Sequence, residues 1–382
     1  MSVWDELTGQ ADAIAVFTAA AAATATDSSM THAWLVTGPP GSGRSNLAYA
    51  FATALLANNP EDEATARQVA ARTHPDLGVL STERVIISID EVRQLVSSSQ
   101  FSPSVGRYRV MIIEDADRMS ERTSNVLLKA LEEPPPRTVW ILCAPSEADL
   151  IPTIRSRVRS VRLRVPSVDE VAELISRRDG VDIATATRAA REAQSHIGMA
   201  HRLATNDDAR ARREQTLEIA LGIRSVGDAV RAASTLLELA GDDAKAITEE
   251  RDAEERESAL RSLGVEPGGT IPPALRAQLK NLEEDQKRRA TRSLRDGIDR
   301  IMVDLLSLYR DILLLQLGAA TEPINLSIHS RLIAASELST PSETLATMDA
   351  IATSRRRIDG NVSPALALEA MLISAARKES VR

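Results

Sequence analysis

Trp34-Leu-Val-Thr-Gly38-Pro-Pro-Gly41-Ser-Gly43-Arg44-Ser45 is an apolar run feeding a glycine-rich turn, and an Ala/Leu-rich stretch follows it. A strand that enters such a turn and leaves it as a helix lets backbone N–H groups converge on a phosphate. The spacing predicts that arrangement here, with arginine where a lysine is usual. Gly38, Gly41 and Gly43 let the chain curl around an anion, and Ser45 offers the hydroxyl that takes a magnesium ligand position. Arg44 brings a planar fork in place of a compact ammonium, so it can hold phosphate but cannot act as a point charge between the β- and γ-phosphates. The expectation is the frame of an ATP site with weakened chemistry.

Composition sets wide bounds around this loop. The 382 residues exceed one compact core, and about 100–200 residues per domain suggests two or three. Hydrophobic residues make up 43% of the chain, yet Trp, Tyr and Phe number only three each, which favours helix-on-helix packing with small side chains. Cys143 is the single cysteine, which excludes an internal disulfide and a cysteine zinc cluster. It reads as a buried strand residue. The beginning, Met1-Ser-Val-Trp-Asp-Glu6, has neither a basic nor an apolar leader pattern, and no apolar stretch is long enough to span a bilayer, so a cytoplasmic location is expected. A net charge of −8 argues against a globally basic nucleic-acid binder.

From Leu7 to about Val165, short β-rich runs alternate with helical patterns, the signature of a parallel sheet with flanking helices. Ala33–Thr37, Arg109–Ile113, Val139–Ala144 and Val161–Val165 are the expected strands. Ser88-Ile-Asp-Glu91 is a capping box that starts a helix from Ile89 to Ser97. Ser120 opens another through Leu131, stopped by Pro134-Pro-Pro136. Beyond Pro166 the pattern is helical throughout. Residues 167–177, 183–195 and 198–204 predict a small three-helix unit, and longer helices follow. Mixed-sign charge between Gly241 and Asp296, with a Gly264–Pro273 break, predicts a hinged helical protrusion. Ile298–Leu317 is apolar but interrupted by Asp299, Arg300, Asp304, Arg310 and Asp311, as suits a core helix.

Four further motifs follow the loop. Val110-Met-Ile-Ile-Glu114-Asp115-Ala-Asp117 is an apolar strand ending in acids, where P-loop ATPases place carboxylates near magnesium and the attacking water. The expected order is Asp then Glu, and here it is reversed. Next come Asn125-Val-Leu-Leu-Lys-Ala-Leu-Glu132-Glu-Pro-Pro135, a strand ending Cys143-Ala-Pro-Ser146, and Thr153-Ile-Arg-Ser-Arg157. In this order and spacing these elements resemble the AAA+ subunits of the bacterial replication clamp loader, strongest from Leu7 to Arg164 and only architectural beyond Ala204.

The resemblance implies an AAA+ P-loop domain over 1–165, a three-helix lid over 166–205, and an all-α collar over 206–382 with a charged insertion around 241–296. It implies a place in the DNA polymerase III holoenzyme, a DNA-directed DNA polymerase. The partners it implies are motor (gamma/tau) and delta subunits in a hetero-pentamer, and through them the sliding clamp and primed DNA. The family's S-R-C tripeptide falls on Ser156-Arg157-Val158, which makes Arg157 the expected arginine finger, acting in trans on a neighbour's γ-phosphate.

Several departures separate this chain from the motor members. Arg44 replaces lysine, Glu114-Asp115 is inverted, and Ala144-Pro145 stands where a γ-phosphate sensor would be. The second sensor of the motor subunits falls on His201, while Arg202 points about 100° away around a helix. The reading this favours is a stator that holds ATP and magnesium weakly or not at all and does not hydrolyse ATP. A competent AAA+ ATPase and a regulatory adaptor remain as alternatives. Relatives with a zinc module carry four cysteines before the segment matching Thr73-His-Pro-Asp76. Asn58–Arg72 has none, so no zinc is expected and the segment must be smaller or held by packing alone.

Overall fold

The computed structural model describes residues 3–4, 7–23, 29–57, 59, 62–82, 86–262 and 276–376, in two compact units, Met1–Thr205 and Asn206–Arg382. The first unit runs α1 (Ala11–Ala22), β1 (Ala33–Thr37), α2 (Arg44–Leu56), α3 (Glu63–Ala70), β2 (Leu77–Leu80), α4 (Ile89–Ser99), β3 (Arg109–Ile113), α5 (Glu121–Glu132), β4 (Thr138–Ala144), α6 (Pro152–Arg155) and β5 (Arg159–Arg162). Three more helices close it: α7 (Val168–Asp179), α8 (Ile183–Glu192) and α9 (Ile197–Thr205). Among the described residues the strands form one sheet in the order β2-β3-β4-β1-β5, every pair parallel.

Because successive strand residues point to opposite faces, each central strand must be apolar on both sides. Trp34, Val36, Val110, Ile112, Ile141 and Cys143 pack on one face with α1 and α2. Leu35, Met111, Ile113, Trp140 and Leu142 pack on the other with α4, α5 and α6. Phe17, Trp34 and Phe51 form a ring cluster with centroids 4.4–5.5 Å apart, and the Trp34 indole N–H donates to the Thr31 carbonyl. The scarce aromatics are therefore concentrated where α1 and α2 meet the sheet.

Two strands depart from the sequence expectation. Leu77-Gly-Val-Leu80 is not among the expected strands, yet it forms β2. A Cβ on Gly78 would lie 2.6 Å from the Met111 sulfur and 3.0 Å from Leu95, so glycine lets α4 press on the sheet. The edge strand runs over 159–162, earlier than the expected 161–165. Pairing with β1, Trp34 opposite Arg159 through Thr37 opposite Arg162, sets that register, and it ends with Leu163 N–H donating to Thr37 O where β1 enters the glycine loop. Val165 is left exposed.

The cysteine-free segment is α3, capped by Asp62, which accepts from the Thr65 N–H at 3.0 Å, while Asn58, Pro60 and Glu61 lie outside the described residues. The following turn is not held by packing alone. Asp76 is buried and accepts from the backbone N–H groups of Ser104 (2.6 Å), Val105 (2.7 Å) and Gly106 (2.7 Å), from the Ser104 hydroxyl, and from Arg109 at 3.4 Å. Burial pushes its carboxyl up, but the N–H donors outweigh burial and hold it down to about 2. Its ordinary value is 3.8, so this stabilisation is complete above that pH and is lost as pH falls from about 4 toward 2. Asp76→Asn should cost about 1–3 kcal/mol at neutral pH and flatten the stability loss over that interval, read by chemical denaturation at each pH.

The second unit is helical: α10 (Asp207–Leu221), α11 (Val226–Ser262), α12 (Arg276–Gln316), α13 (His329–Glu337), α14 (Pro341–Asp359) and α15 (Pro364–Ala376). Leu236, Ile298, Leu305, Leu308 and Leu368 are among its buried core. Acids that interrupt the apolar pattern of α12 cement this unit. Asp304 accepts from Arg213 Nε at 3.1 Å, Asp311 from the Ile324 and Asn325 N–H groups, and Asp299 accepts from Arg355 Nε and Nη2 in a bidentate pair. Among the described residues, no helix is long and apolar enough to cross a membrane. The charged region is an antiparallel pair formed by α11 and α12, joined where Gln286 donates to Asp252 O and Arg289 pairs with Asp252 at 2.5 Å. The Gly264–Pro273 break lies outside the described residues.

Candidate functional site

The glycine loop leaves the top of β1 and opens α2, with Gly41 (φ +79°) and Gly43 (φ +89°) in the left-handed region that favours glycine. Gly38 N–H donates to Pro145 O at 3.2 Å, which ties the loop to the residue following β4. Backbone thus fills the place expected for a first sensor. The Arg44 guanidinium folds back and donates to Gly38 O at 3.0 Å, so it closes its own loop. Ser45 stands on the first turn of α2, and the buried Ser42 hydroxyl has no hydrogen-bond partner among the described residues. Gln10 braces the loop from the side, donating to Arg164 O at 2.9 Å and Ser42 O at 3.4 Å.

At the end of β3 the two acids have separate fates. Glu114 accepts a very short hydrogen bond from the Tyr49 hydroxyl and pairs with Arg72 at 2.7 Å. The Tyr49 hydroxyl is raised in pKa by burial and by that bond. Asp115 pairs with Arg118 at 3.7 Å. Burial, with the Asp115 charge, pushes the Asp117 carboxyl up, while Arg118 and Arg44 pull it down. Burial pushes the Cys143 thiol up to about 12, so it is a closed core group with no thiolate character.

His201 and Arg157 lie on other elements. His201 Nδ1 bonds Asp179 at 2.7 Å, a pair internal to the α7–α9 unit. The imidazole that meets the glycine loop belongs to His196: a Cβ on Gly41 would lie 2.2 Å from its ring, and Ile197 N–H donates to Gly41 O at 3.4 Å. Gln194 and Ser195, both at positive φ, turn the chain so that His196 arrives there, and its Nδ1 accepts from Met199 N–H at 3.2 Å. Arg157 follows α6 and is held by Glu132, Thr153 and Ser156, with its side chain 33% exposed.

Sequence reasoning missed Tyr49, Arg72 and His196. Tyr49 lies one helical turn beyond Ser45, a spacing that faces the loop end of β3 and was readable in retrospect. Nothing local marks Arg72 or His196. The His196 contact makes Gly41 doubly constrained. Gly41→Ala should cost about 2–3 kcal/mol, from left-handed strain and displacement of the ring, seen as a melting-temperature drop of roughly 4–10 °C. An unchanged melting temperature would mean the α7–α9 unit does not rest on the loop.

Residues 10–167 match the family model described as "DNA polymerase III, delta subunit". Over 154 residues the chain is 36% identical to DNA polymerase III subunit delta' of Pseudomonas aeruginosa and 30% identical to that of Escherichia coli. The matched segment is similar to the delta-prime members of the clamp-loader family. Each of these matches covers 38% of this chain, and the chain spans less than half of the relatives' length, 47% and 46%. A DNA polymerase III gamma subunit from Buchnera aphidicola is 29% identical over 150 residues, 38% of this chain and 41% of that protein. A gamma subunit-related protein of Thermotoga maritima aligns over 90% of this chain and 94% of its own, at 16% identity and a TM-score of 0.42. The five-stranded parallel sheet carries the glycine loop after β1, and a helical region follows it.

Proposed function

We propose that this chain is a non-hydrolysing stator subunit of a DNA polymerase III clamp loader that donates Arg157 to the nucleotide site of a neighbouring motor subunit. One observation carries the reading: the carboxylate expected near magnesium, Glu114, is spent on Tyr49 and Arg72. Arg44 is turned onto Gly38 O, and the His196 ring rests on Gly41. ATP with magnesium would supply the phosphoryl group and the metal's charge neutralisation, but these residues do not fit metal-assisted turnover. In this reading Gly38, Gly43 and Ser45 hold a phosphate weakly or not at all, and His201 serves Asp179.

The partners are motor (gamma/tau) and delta subunits in a cytoplasmic hetero-pentamer acting on the sliding clamp and primed DNA. Arg157 stabilises charge developing on a phosphate that it does not itself bind. The reading includes no zinc, since Cys143 is the single cysteine and is buried in β4. Co-expression with motor and delta subunits should give one particle by size exclusion and native mass measurement, containing a single copy of this chain. Isolation of this chain as a self-assembled ATPase would overturn the proposal.

A further inference from the structure

We propose that Glu132 is a positioning residue that parks Arg157 until the phosphate of a neighbour's nucleotide draws it away. The inference rests on the donor reading above and adds a second residue to it. Glu132 is the last residue of α5, where outward-facing carbonyls carry partial negative charge and a carboxylate is disfavoured unless a cation joins it. Arg157 supplies that cation. Its Nε donates to Glu132 Oε1 at 2.7 Å and its Nη2 pairs with the same oxygen. Its Nη1 donates to Thr153 O at 2.7 Å and to the Ser156 hydroxyl at 3.0 Å, which caps the short helix α6. Every nitrogen of the guanidinium is therefore engaged within the chain, through residues of the two motifs that flank β4.

A phosphate approaching this fork meets a carboxylate already on its Nε/Nη2 edge. Phosphate and carboxylate repel each other, so productive contact requires exchange of one anion for the other. The exchange is easy because the pair is partly solvated, with side chains 33% and 46% exposed, and such pairs bias an equilibrium by only about two- to fivefold. Glu132 thereby holds the finger back in the free subunit and the unstimulated complex without blocking it in the stimulated one. Glu133, the next residue, is also exposed but is not among the groups that hold Arg157.

The test uses the reconstituted complex with wild-type chain, Glu132→Gln, Arg157→Ala, the double variant, and Glu133→Gln as control. ATP turnover is measured with and without clamp and primed DNA, with kcat and KM separated and each variant's melting temperature recorded. Glu132→Gln should raise unstimulated turnover about two- to fivefold, leave stimulated turnover unchanged, and have no effect in the Arg157→Ala background. Glu133→Gln should match wild type. Unstimulated turnover that stays level or falls in Glu132→Gln, while Arg157→Ala lowers stimulated turnover, would overturn the parking role and leave the donor reading standing. Equality of Arg157→Ala with wild type would overturn both.

Discussion

Purified alone, the chain should hydrolyse ATP at well under about 0.01 s⁻¹, against the roughly 1 s⁻¹ or more of ordinary enzymes. Loss of one transition-state contact typically costs about 10²–10³ in rate, and here several losses fall on a single site. Glu114 is committed to Tyr49 and Arg72, Pro145 contributes only a carbonyl to the loop, and Arg44 bonds Gly38 O. For the same reason Arg44→Lys should not restore turnover. It returns the point charge but leaves Glu114 paired, the first-sensor position without a side-chain donor, and the His196 ring on Gly41. Steady-state assays of wild type, Arg44→Lys and Ser45→Ala, with and without primed DNA, check this. A wild-type rate near 1 s⁻¹ that disappears in Ser45→Ala would identify a working ATPase.

Arg157→Ala should assemble normally yet lower DNA-dependent ATP hydrolysis by the reconstituted complex. A finger arginine contributes about 10³–10⁵ in rate at the site that it completes, so the one motor site facing this chain should fall silent. Total turnover should drop only in part, because other sites in the complex do not face this chain. The substitution should leave the subunit folded: the pair it breaks is partly exposed and is worth about 0.2–1 kcal/mol. Arg155→Ala is the matched control, since Arg155 is exposed and lies two residues earlier, at the end of α6. Turnover equal to wild type in Arg157→Ala, with assembly confirmed by size exclusion, would remove the trans role.

Local sequence carried the first unit a long way. Periodicity and capping alone locate most of its elements, because Ser88, Ser120 and Ser167 each cap a helix with their own hydroxyl and the central strands are apolar at successive positions. The glycine loop could be read for a related reason: backbone that must curl back at Gly41 and Gly43 favours glycine, so the conformation is written in the residue type. The tripeptide singles out Arg157 in the sequence, whereas nothing local marks its partner Glu132, 25 residues earlier.

What remained hidden depends on groups brought together from distant positions. β2 is a strand because β3 offers it a ladder and Gly78 admits Met111, and neither fact is encoded within those four residues. Glu114 reads from the sequence as an acid beside magnesium, and only folding brings Tyr49 and Arg72 to it. His196 carries no local sign of its role, and only the turn at Gln194–Ser195 delivers its ring to Gly41. Composition sets which groups a site can contain, whereas their availability depends on long-range pairing. A carboxylate within 3 Å of an arginine and a phenol is a different reagent from the same carboxylate free in solvent.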